Sequence, residues 1–507
     1  MGARRNGRRR ARVTLWLCVA MSAPACGSDV ARGQKGETTP VAVASAEPVL
    51  EEPPPIPPGD ERVAPATKPP EPEPAPEPAP EKPLGGAIPI EDPGGHALDA
   101  FHTALQRAER GEGKARIAFY GASHVASDLF TGEIRQRLQA RFGEGGPGFL
   151  LPAKPWRWYR HHGVRMEQSR GFGVRRVRAR RPRDDIYGLM GVALQSVKDF
   201  GRGSFRTRKN GPLQGHVSSF ELYYLKQPNG GTLSVFIDGE REKNLGARAK
   251  RAQTAYAHFD VEPGHHSFEV RTHGNGPVRL FGVAAELEGP GVVLDTLGIP
   301  GSRARYHLHW DDAVYREHLA RRKPDLVVLA YGTNESGDDD VPIATYEARL
   351  RKVLTRIQET VPDASCLLVG PSDRPREVEP PRDGSVDAER EAGQADREAQ
   401  SAAPRESGDT GRYFEDRPRT AQLVESQRRI AAELGCGFFD LVEFMGGPMS
   451  MLRWVAADPP LGTPDHVHFT RRGYERLGEV LHDALLARYP DAPPTSAPAP
   501  DQTAHQE

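Results

Sequence analysis

The spacing of apolar residues changes twice along this 507-residue chain, and the changes divide it. A short helix over 98–107 is followed by the apolar run Arg116-Ile117-Ala118-Phe119-Tyr120, which predicts a buried strand. After Gly121-Ala122-Ser123-His124, residues Phe130, Ile134, Leu138 and Phe142 recur every four positions, the period of a helix with one apolar face. From about 143 to 291 the period falls to two, in segments containing Phe220, Leu233, Phe259, Phe268 and Val278. Pro228-Asn229-Gly230-Gly231, Asp238-Gly239 and Pro263-Gly264 supply turns between them, so this part predicts an antiparallel β-sandwich. Strand and helix then alternate again. Val292 to Asp295, Leu326 to Ala330, Cys366 to Val369 and Phe438 to Leu441 read as strands; Tyr346, Leu350, Leu354 and Ile357 mark a helix, as do 420–434 and 472–489. The expected fold is a three-layer αβα, flavodoxin-like arrangement: a five-stranded parallel sheet split by the sandwich, with boundaries at 96–145, 146–290 and 291–489.

Composition removes the chain ends from this fold. Of 47 prolines, 18 lie between Pro40 and Pro93, so 27–95 predicts an extended, disordered linker. Its reach is on the order of 100–200 Å. The charged segment 376–412 lacks apolar periodicity and predicts a disordered loop, as does the tail 490–507. Ahead of the linker, Arg4, Arg5, Arg8, Arg9, Arg10 and Arg12 precede a short apolar run from Val13 to Ala25, the layout of an export signal. Ala23-Pro24-Ala25-Cys26 resembles a bacterial lipobox. That resemblance implies acylation of Cys26 and a lipid anchor, with Gly27 favouring the outer membrane; plain secretion is the alternative.

Charge changes the picture less. The formal net charge is -1, and the 13 acidic against five basic residues of the linker offset the basic N-terminus. A near-neutral globular part argues against a nucleic-acid partner. No stretch approaches the ~20 apolar residues that span a bilayer.

Four short elements carry candidate chemistry: Gly121-Ala122-Ser123; Leu297-Gly298-Ile299-Pro300-Gly301-Ser302; Tyr331-Gly332-Thr333-Asn334-Glu335; and Asp465-His466-Val467-His468-Phe469. Their order and spacing resemble the SGNH/GDSL hydrolase superfamily, whose blocks supply Ser, Gly, Asn and an Asp-x-x-His pair. The resemblance implies Ser123 as nucleophile, His468 as its general base and Asp465 as the group that orients the imidazole. It also implies an oxyanion hole made by the Ser123 and Gly301 amides and the Asn334 side chain. The spacing selects His468 over His466, which reads as a loop histidine. One departure stands out: Ala122 occupies the usual Asp position of Gly-Asp-Ser. That Asp is not the triad acid, so the triad is kept, while a degenerate glycan-binding domain stays an alternative.

The inserted sandwich makes the chain look like peptidoglycan O-acetylesterases with a carbohydrate-binding-module-like insert. The expected activity is hydrolysis of O-acetyl esters on a cell-wall glycan, without metal or organic cofactor, by a monomer acting on acylated polysaccharide or peptidoglycan. Transfer of acetyl to a sugar by the same triad is the alternative. Trp156, Trp158 and Tyr159 lie among ten arginines over 157–183, which suggests sugar stacking in an acidic-glycan groove or else a solvated basic face. His124 either lines the pocket or faces solvent; Asp373 either approaches the pocket or caps a turn. In an oxidising compartment Cys366 and Cys436 pair if their strands are neighbours; otherwise they are buried free thiols.

Overall fold

The structure is a computed structural model that describes residues 82–178, 184–196, 200–209, 215–379, 405–406 and 412–490. The export signal with Cys26, the linker up to residue 81, most of the charged loop and the tail from 491 lie outside the described residues.

Five parallel strands form the central sheet: Lys114–Gly121, Gly291–Gly298, Leu326–Ala330, Ser365–Val369 and Gly437–Phe439. In space the order is second, first, third, fourth, fifth. The second and fourth strands are buried along their whole length, as expected for strands covered on both faces. Side chains alternate between two cores. Ile117, Phe119, Val292 and Leu294 face helices Asp99–Glu109, Phe130–Phe142 and Arg471–Leu486. Ala118, Tyr120, Val327 and Leu329 face helices Asp312–Arg322, Ile343–Thr360 and Pro418–Glu433. The chain reverses direction across the sheet between the first strand's two neighbours, so their carboxyl ends leave a crevice at this topological switch point.

The insertion is a two-sheet antiparallel sandwich, of six and five strands. Each segment read as alternating lies in a strand: Val217–Lys226, Thr232–Ile237, Gln253–Gly264, Ser267–Thr272 and Val278–Glu286. Phe205, Phe220 and Phe268 stack between the sheets, with ring centroids 5.1–6.1 Å apart. The sandwich shares its core with the second group of helices.

Two boundaries differ from expectation. The domain takes up the chain before residue 96: Ile90 is buried, and the Glu91 backbone pairs in both directions with Phe438 beside the last strand. Proline-rich composition hides this because the contacts are with a strand some 350 residues away. Within the charged segment, Arg376–Val378 is a strand that pairs with Tyr413–Glu415, which also pairs with Arg405–Glu406. Its cross-strand ion pairs, Arg376–Glu415 and Arg412–Glu377, stabilise the hairpin where apolar alternation is absent. Cys366 and Cys436 are joined in a disulfide with Cα atoms 4.7 Å apart, because the fourth and fifth strands are neighbours.

Helix Asp312–Arg322 escaped the periodicity reading because two of its buried positions are His318 and Arg322. His318 sits among Tyr223, Tyr256 and Phe281, and neither ring nitrogen has a hydrogen-bond partner. Burial, and then the Arg321 charge, push its pKa down to about 3. The unfolded chain takes up this proton near the ordinary value, so the folded state loses stability as pH falls below about 6.5. His318→Phe should remove this penalty. The variant should gain roughly 2 kcal/mol on the wild type between pH 7.5 and 5, read from denaturant midpoints at the two values.

Candidate active site

Each of the four blocks ends at the crevice. Ser123 opens a four-residue helix, Ser123–Ala126, directly after the first strand. That helix lies on the end of the second strand: a Cβ on Gly298 would stand 2.2 Å from the Ala126 backbone nitrogen, so only glycine fits. Gly301 follows the second strand at φ +74, a conformation that favours glycine. Asn334 follows the third strand, and Asp465 to His468 form the turn before the last helix.

The geometry joins Ser123, His468 and Asp465. His468 Nε2 lies 2.8 Å from Ser123 Oγ, and His468 Nδ1 lies 2.6 Å from Asp465 Oδ2. Asp465 also accepts from the Val467 and His468 amides, at 3.0 Å each, and from the Thr463 hydroxyl at 2.6 Å. Partial burial works against ionisation of Asp465. The His468 bond and these donors outweigh it and hold the carboxyl well below its ordinary range. A fixed carboxylate at Nδ1 leaves Nε2 as the acceptor for the serine proton.

The third block is anchored from below. Buried Glu335 accepts from the Gly332 amide at 3.1 Å and the Ala304 amide at 2.8 Å, tying the second and third blocks together. Burial raises its pKa. The Asn334 side-chain amide donates to the Ser302 carbonyl at 2.9 Å, which fixes its orientation and leaves its second N–H for another acceptor. Behind Ser123, buried Asp128 accepts from Arg135 at 2.8 Å, from Thr131 and Thr296, and from the His162 amide. Burial alone would raise the Asp128 pKa; Arg135 overcomes it, and the group stays a carboxylate. Glu335 lay in the third block, but its role as an anchor was not read from the sequence. Asp128 and Arg135, seven residues apart across a turn, gave no signal.

Several expectations need correction. His124 neither faces solvent nor offers a nitrogen to substrate. It is buried, with Nδ1 2.9 Å from the Tyr474 hydroxyl and Nε2 3.4 Å from Ser372 Oγ, and its ring centroid lies 5.4 Å from that of His468. Burial and then the His468 charge push it down to about 3, so it is neutral and adds no competing cation beside the triad. Tyr159 is not a stacking platform: it is buried, its hydroxyl accepts from the Leu151 amide, and Trp156 packs edge-on at 5.5 Å. Trp156 is half-buried, and only Trp158 of the three presents a large open surface, at 42% exposure. Asp373 does not enter the pocket: it accepts from the Met451 amide at 2.8 Å, at the start of helix Ser450–Ala456, and the Arg374 backbone in its own turn also bonds it. Burial pushes it up to about 7. His466, expected as a loop histidine, packs its ring against Phe414 with centroids 4.3 Å apart. No cluster of metal-ligating side chains exists among the described residues. No described helix is long and apolar enough to cross a membrane.

Fold and triad together define a serine hydrolase of the SGNH type, acting on esters. Residues 268–476 match the family described as GDSL-like Lipase/Acylhydrolase. Ser123 precedes that span because the sandwich separates it from the other blocks. A solved peptidoglycan O-acetylesterase has the same fold: TM-score 0.61 and 22% identity over 78% of this chain and 98% of that one. A salicylyl-acyltransferase from a tetracycline biosynthetic pathway shows 16% identity over 64% of this chain and 96% of that one, TM-score 0.27. A family two carbohydrate esterase from Clostridium thermocellum in complex with cellohexaose shows 11% identity over 58% and 94%, TM-score 0.24. No curated protein matches the chain in sequence.

Proposed function

We propose that this protein hydrolyses O-acetyl esters on a cell-wall glycan such as O-acetylated peptidoglycan. The observation that carries the reading is the hydrogen-bonded line Asp465–His468–Ser123, with bonds of 2.6 and 2.8 Å. Attack of Ser123 Oγ on the acetyl carbonyl passes its proton to His468 Nε2. The tetrahedral oxyanion is met by the amides of Ser123 and Gly301 and the remaining N–H of Asn334. His468 returns the proton to the departing sugar hydroxyl, leaving acetyl on Ser123. Water, deprotonated by the same nitrogen, then releases acetate. The 38% and 50% exposure of the His468 and Asp465 side chains leaves the site open to water, which favours hydrolysis over transfer to a second sugar. Ala122, in the usual Asp position, packs in the core without displacing the triad, which speaks against a purely binding domain.

The glycan context rests on the fold shared with the peptidoglycan O-acetylesterase. The matched share of this chain, 78%, is more than the two hydrolase parts hold, so it takes in the sandwich. An export signal and acylation of Cys26 complete the proposal, with the linker carrying the enzyme from an outer-membrane anchor to its polymer. Acetate release from O-acetylated peptidoglycan should exceed release from O-acetylated xylan, and Ser123→Ala should abolish both. Equal rates on both would remove peptidoglycan as the preferred substrate. Acetyl appearing on an added acceptor glycan, in place of free acetate, would make the enzyme a transferase.

A further inference from the structure

Ser123 sits on a helix of four residues, Ser123–Ala126, too short to be stable on its own hydrogen bonds. Its place is therefore set by what grips the side chains beside it. Val125 is gripped by packing: it is fully buried, and a Cβ on Gly121 would meet its Cγ2 at 2.3 Å. His124 is gripped by polar contacts. Its Nδ1 lies 2.9 Å from the Tyr474 hydroxyl, and its Nε2 lies 3.4 Å from Ser372 Oγ. Ser372 Oγ in turn lies 3.0 Å from Thr333 Oγ1, which also accepts from the Ser372 amide at 3.1 Å. All four residues are buried.

The line Tyr474–His124–Ser372–Thr333 reaches each catalytic element at a neighbouring residue. His124 follows Ser123, and Thr333 precedes Asn334. On the third side, Tyr474 belongs to the helix that follows His468, and its ring packs against Phe469 at 5.2 Å. The His124 ring itself lies 5.2 Å from that of Phe469 and 5.4 Å from that of His468. An imidazole suits this place. In its neutral form one ring nitrogen donates and the other accepts, so a rigid ring bonds hydroxyls on two sides at a fixed separation. Burial, and then the His468 charge, keep it uncharged, so no cation opposes the imidazolium that forms at His468.

We propose that His124 is a positioning residue: its bridge between Tyr474 and Ser372 holds the serine helix, the base and the Asn334 loop in register. This rests on the esterase reading above. His124 acts through Ser123, its chain neighbour, and through Ser372 and Thr333 on the residue that completes the oxyanion hole. Without the bridge the triad keeps its side chains but loses their alignment, and a misplacement of about 1 Å costs roughly a hundredfold in rate. The effect falls on the chemical step, because no part of the bridge is offered to substrate.

The test is steady-state hydrolysis of 4-nitrophenyl acetate, with thermal melts alongside. His124→Phe keeps a flat ring and removes both polar contacts; it should lower kcat roughly a hundredfold with KM nearly unchanged. His124→Gln keeps an amide that both donates and accepts, and should recover part of the loss. Tyr474→Phe and Ser372→Ala each break one end of the bridge and should each lower kcat about three- to tenfold, the scale of one hydrogen bond. Either of them added to His124→Phe should lower kcat no further, because the bridge is already gone. Wild-type kcat in His124→Phe, a loss carried by KM, a glutamine variant no better than phenylalanine, or fully additive double variants would each overturn the proposal. If His124→Phe does not fold, the two end variants decide, and wild-type kcat in both overturns it. Wild-type turnover that ignores all these substitutions defeats this inference alone. Absence of wild-type turnover on any acetate ester, aryl acetates included, defeats the esterase reading and this with it.

Discussion

Ser123→Ala should lower kcat/KM on an aryl acetate roughly ten-thousand-fold or more, to the level left by the oxyanion hole and substrate binding alone. His468→Ala should cost about as much, and the double variant little more than either, because the two groups act as one unit. The reason lies in how the proton moves. Ser123 Oγ and His468 Nε2 are already at hydrogen-bond distance, 2.8 Å, so removing either end removes the transfer. Asp465→Asn should be milder and more informative. The side chain keeps its size, but it no longer supplies the charge at Nδ1, and its amide can present a donor where an acceptor is needed. The outcome is a serine whose base sits in the wrong tautomer, with kcat falling and KM nearly unchanged. The measurement is steady-state hydrolysis of 4-nitrophenyl acetate, with thermal melts to show that each variant is folded. Wild-type-like turnover in Ser123→Ala would remove the nucleophile assignment outright.

The places of the candidate residues were legible because each block adjoins an element the sequence predicts, while the roles given to them came from the resemblance to the SGNH/GDSL pattern. Ser123 follows an apolar strand, Gly301 takes a left-handed turn, Asn334 follows a second buried run, and Asp465 and His468 are three residues apart before an amphipathic helix. Those signals are local and survive in a single sequence. What was not legible depends on distant partners. His124 looked like a second pocket histidine, yet Tyr474 and Ser372, from two other elements, bury it. Asp373 looked like a pocket or turn residue, and one of its partners is an amide 78 positions further on. The aromatic group at 156–159 looked like a binding platform, but alternation of exposure along a loop has no fixed period, so which ring faces solvent was beyond reach.

The largest stability effect is expected at Arg322. This last residue of helix Asp312–Arg322 donates to Asp295 at 2.7 and 2.9 Å and to Glu286 at 2.7 Å. Asp295 belongs to the second central strand, Glu286 ends the last sandwich strand, and Arg116 of the first strand completes the cluster at 2.6 and 2.8 Å from Glu286. One guanidinium therefore neutralises a carboxylate of the hydrolase and one of the insert, with side-chain exposures of 6% for Arg322 and 4% for Asp295. Arg322→Met fills the volume but leaves Asp295 buried without a counter-charge, for an expected loss of about 3–5 kcal/mol. Lysine should not rescue it, since a single ammonium cannot serve both carboxylates in fork geometry. The pH dependence separates this from a packing defect. In the wild type, burial alone would raise the Glu286 pKa, but Arg322 and Arg116 hold it at about 2. Its contribution to stability is thus complete above about pH 4.5 and is lost as pH falls toward 2. In Arg322→Met, Glu286 keeps only Arg116 and takes up a proton more easily, so the deficit against wild type should be greatest at neutral pH and narrow below about pH 5. Adding Asp295→Asn to Arg322→Met should recover part of the loss, because the amide needs no counter-ion and its carbonyl still accepts the Phe149 amide, bonded to Asp295 at 2.8 Å. A deficit constant with pH, unrelieved in the double variant, would mean that Arg322 matters for its shape and not its charge.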